Sequence, residues 1–231
     1  MNQSVQNYPG LAGSGALAAQ RNRVLRNTYW LLALSMVPTV LGAWIGVQTG
    51  LMRGMGPGMS AIVFLVGAFG LMFAVEKFKN SAAGVPLLLG FTFFMGLMLS
   101  RLVGHVLGFT NGASLVMTAF GGTAGIFAVM ATVATVSKRD FTGMGKWLFV
   151  GFLVIFVAAI ANIWLQMPAL TLTISALAVL IFSAFILVDL QRVVNGGETN
   201  YVTATLSVYL SVYNVFSNLL ALLGIFGGDR D

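Results

Sequence analysis

Seven stretches of this sequence are apolar over a length that could cross a lipid bilayer, and this feature limits the fold more than any other. They lie at roughly 28–50, 57–75, 84–104, 113–136, 147–166, 169–189 and 201–226. A helix of about 20 apolar residues spans the ~30 Å hydrocarbon core. Because lipid offers the backbone no hydrogen-bonding partner, each stretch is predicted to be a helix. We therefore expect an all-α integral membrane protein with a seven-helix bundle.

Composition agrees with this fold class. The chain is 58% hydrophobic and 8% charged, whereas soluble domains carry about 25% charged residues. Its net charge of +6 is scattered between the apolar stretches, unlike the continuous basic surface of a nucleic-acid-binding protein. We expect one membrane domain at 28–226 with a flexible cytoplasmic tail at 1–27 and a short C-terminal tail at 227–231.

The positions of Lys and Arg predict the orientation of the chain. If the N-terminus is cytoplasmic, nine of the twelve basic residues flank the inner ends of the helices: Arg21, Arg23, Arg26, Lys77, Lys79, Lys138, Arg139, Lys146 and Arg192. Arg53, Arg101 and Arg230 fall on the other side. This asymmetry follows the positive-inside rule. It favours an odd number of spans and a periplasmic C-terminus.

Glycine recurs at every fourth position in two of the predicted helices. Gly42, Gly46 and Gly50 lie in the first, and Gly121 and Gly125 lie in the fourth. Small residues at this spacing let a neighbouring backbone approach closely. We interpret both sets as packing surfaces inside the bundle, with a dimer interface as the alternative.

The last predicted helix carries a line of polar side chains. Six polar residues lie within about 40° of one line on this helix, at 100° per residue. They are Asn200, Thr203, Ser207, Ser211, Asn214 and Asn218. Facing lipid, such groups would lose hydrogen bonds at a cost of up to several kcal/mol each. We therefore predict that this helix is central. The polar seam, Thr203 to Asn218, either holds helices together or lines a hydrated path or a ligand site.

Asp189 ends the sixth stretch and is the first charged residue after Lys146. An Asp at the centre of a membrane helix costs roughly 2.5–3.5 kcal/mol, and less near an interface. The turn at 195–197 would make helices six and seven an antiparallel hairpin, so that this carboxylate can face the polar seam. It either extends to the headgroup level or acts as a pH gate whose protonation alters a salt bridge. Possible counter-charges are Arg192, Arg139 and Lys77.

The sequence lacks the residue sets that are typical of enzymes. His105 is the single histidine and cysteine is absent, which leaves no HExxH motif, no Ser-His-Asp set and no thiolate metal site. The GGTAG at 121–125 lies inside an apolar stretch, whereas a phosphate-binding loop joins a strand to a helix. We therefore predict a protein that is not an enzyme and needs no cofactor.

Five segments make the chain similar to a known family. They are VLRNTYWLL at 24–32, FGLMF at 69–73, GGTA at 121–124, ANIWLQMPAL at 161–170 and GGETNYVTATLSVYLSVYNVFSNLL at 196–220. The sequence resembles the Bax-inhibitor (transmembrane Bax-inhibitor motif) family. Its fold is a seven-helix bundle with the last helix at the centre, which agrees with the prediction from the polar seam.

Within that family the sequence is most similar to bacterial inner-membrane members that modulate the membrane-bound FtsH protease. The resemblance implies binding to FtsH, with or without its HflK and HflC partners, and restraint of its action on membrane proteins. The N-terminal tail would then be either a cytosolic segment that the protease grasps or a disordered segment without that role.

The resemblance also implies an alternative function. Some members are pH-sensitive calcium leaks, a property attributed to one aspartate that ends helix six and another that follows a Tyr-Leu pair in helix seven. The first corresponds to Asp189, but the position after Tyr209 and Leu210 is Ser211. Two close carboxylates share a proton, whereas Asp with Ser offers one titratable site and few oxygen ligands for calcium. The alternative is thus a weakened calcium or proton leak.

Overall fold

The computed structural model describes residues 9–52 and 54–228. Its seven helices, in chain order, are α1 (Pro9–Thr49), α2 (Pro57–Phe78), α3 (Gly84–Val106), α4 (Gly112–Val136), α5 (Gly145–Leu165), α6 (Pro168–Val194) and α7 (Tyr201–Gly227). Each contains a segment long and apolar enough to span a membrane. The predicted all-α seven-helix membrane bundle is confirmed.

A tight turn joins the fifth and sixth helices. α5 ends at Leu165, Gln166 adopts a left-handed φ of 52°, and Pro168 opens α6. Proline is favoured there because the first N–H of a helix has no intrahelical partner. The side chain of Asn162 bridges the turn, since its Oδ1 accepts a hydrogen bond from the backbone N–H of Met167 at 2.9 Å.

The first helix starts earlier than the sequence predicted. α1 begins at Pro9, so residues 9–27, predicted as part of a flexible tail, are helical. Packing explains part of this extension, because Val24 is buried in a cluster with Val193 and Ala204. Residues 1–8 of the predicted tail and residues 229–231 of the C-terminal tail lie outside the described residues.

α7 lies at the centre of the bundle, as predicted. Of residues 201–228, only Ile225 and Phe226 are exposed. The helix packs against α1, α2, α3, α4 and α6. Val208, Val215 and Leu220, which span more than three turns of it, are completely buried.

Two tyrosines hold α7 against the helices on one side. The hydroxyl of Tyr209 lies 2.8 Å from Oγ1 of Thr39 in α1. That threonine also donates to the carbonyl of Ser35 at 2.8 Å. The hydroxyl of Tyr213 donates to the carbonyl of Met95 in α3 at 3.2 Å. Interhelical hydrogen bonds of this kind contribute about 0.6–2 kcal/mol each in a membrane.

Glycines let α1 and α3 approach closely. A Cβ placed on Gly96 of α3 would lie 2.9 Å from Cα of Thr39, and one on Gly46 of α1 would overlap the side chain of Ser100. Gly42 faces the backbone of Phe93 in the same way. The interpretation of Gly42 and Gly46 as a packing surface inside the bundle is therefore confirmed.

The interpretation of Gly121 and Gly125 as a packing surface inside the bundle is wrong. Gly121 and Gly125 of α4 are exposed, and a Cβ on either would meet no atom within 4 Å. α4 packs through a different face, which includes Leu115, Ala119 and Thr123. Gly50 also has a different role, since it adopts a left-handed φ of 63° where α1 ends.

These environments predict opposite effects of one substitution. Gly96→Ala should lower the free energy of unfolding by about 1–3 kcal/mol, because the added methyl overlaps the backbone of Thr39. Gly121→Ala should leave it unchanged or raise it slightly, because the new methyl meets open space and alanine favours helix. Unfolding in mixed micelles measures both. Equal effects of the two substitutions would contradict the close packing of α1 on α3.

Candidate functional site

The candidate site lies where α6 ends and α7 begins, at the end of the bundle that carries the nine basic residues predicted to be cytoplasmic. We call this the basic end. Gly196, with a φ of 78°, makes the turn between the helices. Its N–H bonds to the carbonyl of Val193 at 3.0 Å, and the N–H of Gly197 bonds to that of Arg192 at 2.8 Å. These two bonds form the Schellman motif that terminates α6.

The structure brings Asp189 together with Ser211. The carboxylate is half-buried near the end of α6, and its Oδ2 lies 3.4 Å from Oγ of Ser211. That hydroxyl also lies 3.2 Å from the carbonyl of Ser207. One hydrogen is thus shared between two distant acceptors, so the contact with the carboxylate is weak compared with an ordinary O–H···O bond of about 2.5–3.0 Å.

The rest of the polar seam bonds mainly to its own helix. The side-chain amide of Asn214 donates to the carbonyl of Leu210, and that of Asn218 donates to the carbonyl of Asn214, each at 2.8 Å. Oγ1 of Thr203 is buried and has no hydrogen-bond partner among the described residues. Among the described residues, the polar seam is therefore joined to another membrane helix by the side-chain contact between Ser211 and Asp189.

Asn200, the first of the six aligned polar residues, has a structural role. Its Oδ1 caps α7 by accepting hydrogen bonds from the N–H groups of Val202 at 2.8 Å and Thr203 at 3.3 Å. Its side-chain nitrogen donates to Oδ1 of Asn80 at 2.7 Å. This cap satisfies backbone donors at the start of α7 and ties the helix to the segment between α2 and α3.

The three possible counter-charges lie at the basic end but do not form an ion pair with Asp189 in the described structure. Arg192 is one helical turn further along α6 and is exposed, as are Arg139 and Lys77. The ion pair found among the described residues joins Lys79 to Glu76. The hydrogen bond that Lys79 donates to Glu76 raises the pKa of Lys79 above its ordinary value.

Gln191 is a functional candidate that the sequence reasoning missed. It lies two residues after Asp189 and is 2% exposed. Its Nε2 donates to the carbonyl of Arg139 at 2.6 Å, and its Oε1 accepts from the N–H of Phe141 at 2.5 Å. One side chain thus fixes the α4–α5 loop to the end of α6. A glutamine in a largely apolar stretch was the available signal.

The same loop is ordered by a second local device. Oδ1 of Asp140 accepts hydrogen bonds from the backbone N–H of Thr142 at 2.9 Å and from its hydroxyl at 2.7 Å. These bonds favour the charged form and lower the pKa of Asp140. The turn leads into α5, so the exposed cations of the loop are presented on a fixed backbone.

This arrangement suits protonation or hydrogen bonding better than metal binding. Among the described residues, no group of three His, Cys, Asp or Glu side chains is placed to hold a metal ion. Asp189 supplies one carboxylate, and its side-chain neighbour Ser211 supplies one hydroxyl. Calcium generally takes six to eight oxygen ligands.

Comparison with known proteins identifies the family. The sequence model of the family described as "Inhibitor of apoptosis-promoting Bax1" matches residues 21–228. The chain belongs to the Bax-inhibitor family. The match includes all of α2 to α7, together with Asp189 and the whole polar seam.

Individual relatives in this family match nearly the whole chain. An uncharacterized protein of Pseudomonas aeruginosa is 38% identical over 94% of this chain and 96% of its own length. The Escherichia coli K12 protein named "Modulator of FtsH protease YccA" is 38% identical over 90% of this chain and 92% of its own. An uncharacterized membrane protein of Vibrio cholerae is 37% identical over 91% of this chain and 92% of its own length.

These names, with the structure, establish the cellular setting. The matching protein of a second Escherichia coli strain is named "Inner membrane protein YccA", and this chain has seven helices able to span a membrane. It is a multi-pass inner-membrane protein of the YccA-like type. The family is described as an inhibitor, and one of these relatives is named as a modulator.

Replacing Gln191 tests how the loop at the basic end is held. Gln191→Leu should speed hydrogen exchange at the amide of Phe141 about tenfold, because the lost hydrogen bond is worth about 1–1.5 kcal/mol. Asn195→Ala, at an exposed position just after α6, is the control and should leave that exchange unchanged. Unaltered protection in the Leu variant would show that the loop is held by other contacts.

Proposed function

We propose that this protein is an inner-membrane modulator of the FtsH protease that restrains its degradation of membrane proteins. The observation that carries the proposal is the 38% identity, over 90% of the chain, to a protein named as a modulator of that protease. The likeness extends over 92% of the relative, so it is not confined to one part of the bundle.

In this proposal the protein acts by association within the membrane and not by catalysis. FtsH is the direct partner, and HflK and HflC are further partners in the same assembly. The exposed apolar faces of α2, α4 and α5 are available for helix contacts. The basic end, with the segment up to residue 27, faces the cytoplasm and the C-terminal residues 227–231 face the periplasm, an orientation supported by the positive-inside rule.

Copurification is the first test. Protein isolated from membranes in mild detergent should carry FtsH well above the amount recovered with another multi-pass inner-membrane protein bearing the same tag. Accumulation of this protein should also slow the turnover of a membrane substrate of FtsH. Repeated isolation without FtsH, or unchanged turnover on accumulation, would contradict the proposal.

The absence of cysteine allows the contact surface to be mapped. Single cysteines carrying a photo-crosslinker at Phe73 of α2, Val129 of α4 and Val154 of α5 would sample three faces whose side chains are 70%, 58% and 64% exposed. At least one should crosslink to FtsH. Val208, which is 0% exposed, is the matched control and should not.

A proton-dependent cation leak is the second candidate function. It is favoured by the half-buried carboxylate of Asp189 and its 3.4 Å contact with Ser211 on the polar seam. Protonation would remove the charge from this carboxylate and allow it to donate to a seam oxygen, which would change how α6 meets α7. With one acid, the protein would respond to pH and only weakly to calcium.

Flux through proteoliposomes tests the leak. Wild-type protein should pass cations in a pH-dependent manner, and Asp189→Asn should abolish the pH dependence because the site can no longer titrate. Ser211→Asp places a second carboxylate beside the first and should increase calcium sensitivity, whereas Ser211→Ala should not. Equal flux in wild type and Asp189→Asn, or none in either, would exclude this function.

A further inference from the structure

A crevice at the opposite end of the bundle from Asp189 takes no part in the functions proposed above. Its volume is about 260 Å³ and it lies between α2, α3 and α7. Its lining includes Ser60, Ala61, Phe64, Met98, Arg101 and Tyr213. The volume is slightly below the ~300–1,000 Å³ of sites for drug-sized ligands. A small or single-chain ligand would fit.

The crevice changes from polar to apolar with depth. Arg101 lies five residues before the end of α3, or about 7 Å along the axis, which is near the headgroup level of a membrane. Tyr213 lies fourteen residues before the end of α7, about 21 Å along the axis and near the middle of the bundle. Between Arg101 and Tyr213 the walls of the crevice include the apolar side chains of Phe64 in α2 and Met98 in α3.

Arg101 is positioned to bind an anion at the mouth. Its Nη1 donates to Oγ of Ser60 at 3.1 Å, which holds the guanidinium beside α2. An arginine has five N–H donors, and no carboxylate forms an ion pair with this one among the described residues. Guanidinium groups bind carboxylate and phosphate oxygens through paired, charge-assisted hydrogen bonds.

The flank of the crevice is open to the membrane. Met59 and Ile62 of α2 lie beside the lining residues Ser60 and Ala61 and are 57% and 58% exposed. An amphiphile in the outer part of the bilayer could therefore enter sideways, with its head remaining near Arg101. Its chain would then point toward the middle of the bilayer, as the chains of a lipid do.

We propose that this crevice binds a single acyl chain carrying an anionic oxygen headgroup. The guanidinium of Arg101 binds the headgroup, and the chain lies against Phe64 and Met98 and points toward Tyr213. A fatty acid and a lysophospholipid share this chemistry, one presenting a carboxylate and the other a phosphate. The proposal is independent of FtsH binding and of Asp189.

Photocrosslinking of the full-length protein in a nonionic detergent tests the site. A decanoic acid bearing a diazirine near the end of its chain should label the α2 and α3 segments that contain Phe64 and Met98. Unmodified decanoate and decyl phosphate should both compete, and the stronger competitor indicates which headgroup the site prefers. Decyltrimethylammonium, with the same chain and a cationic head, should not compete.

Variants separate this site from general adsorption to the apolar surface. Arg101→Gln should reduce labelling of both segments at least fivefold. Lys146→Gln, which removes an exposed cation at the basic end, should not. Ala61→Trp keeps the arginine but fills the crevice and should also reduce labelling, so the test does not depend on one variant folding.

Three results would overturn the proposal. They are undiminished labelling in both Arg101→Gln and Ala61→Trp, labelling confined to outward-facing residues such as Ile62 and Phe73, and equal competition by the cationic amphiphile. Thermal unfolding of each variant confirms that any loss of labelling occurs in folded protein.

Discussion

The need to satisfy polar groups without water is the constraint on which this structure depends. α7 brings hydroxyls, amides and phenols into a membrane, where a lost hydrogen bond costs far more than at a wet surface. On one side Tyr209 and Tyr213 bond to α1 and α3. On the seam side Asn214 and Asn218 bond to carbonyls of their own helix. Because such a helix cannot face lipid, the other helices surround it, and between residues 201 and 228 exposure is limited to Ile225 and Phe226.

Gln191 connects the candidate site to the cationic loop between α4 and α5. Asp189 and Gln191 are two residues apart at the end of α6, and Gln191 holds the backbone of the loop that carries Arg139. A change at the carboxylate that moves this end of α6 would therefore move a cationic loop at the basic end. The two proposed functions, FtsH modulation and a proton-dependent leak, thus require different properties of the end of α6. The modulator needs a defined surface, and the leak needs a titratable group.

The sequence predicted the helices well because hydropathy over about 20 residues is a strong signal. Six of the seven helices begin within two residues of their predicted starts. α1 differs because hydropathy does not register tertiary packing of the segment around Val24. Gly121 and Gly125 were misassigned because small-residue spacing identifies a helix face without saying what it faces. Antiparallel pairing predicted that Asp189 lies near Thr203 and Ser207, and only the family resemblance pointed to Ser211, whose hydroxyl lies 3.4 Å from the carboxylate. Gln191 was missed because its hydrogen-bond partners lie in a loop about fifty residues away.

Accessibility of the last helix to the bilayer tests the central claim most directly. The chain has no cysteine, so single cysteines at Val208 and Val215, both 0% exposed, can be compared with ones at Val129 and Val154, which are 58% and 64% exposed. With a nitroxide label on each cysteine, we expect oxygen dissolved in the bilayer to relax the labels at 129 and 154 strongly and those at 208 and 215 hardly at all in the folded protein. Equally strong relaxation at all four positions would contradict an α7 enclosed by its neighbours.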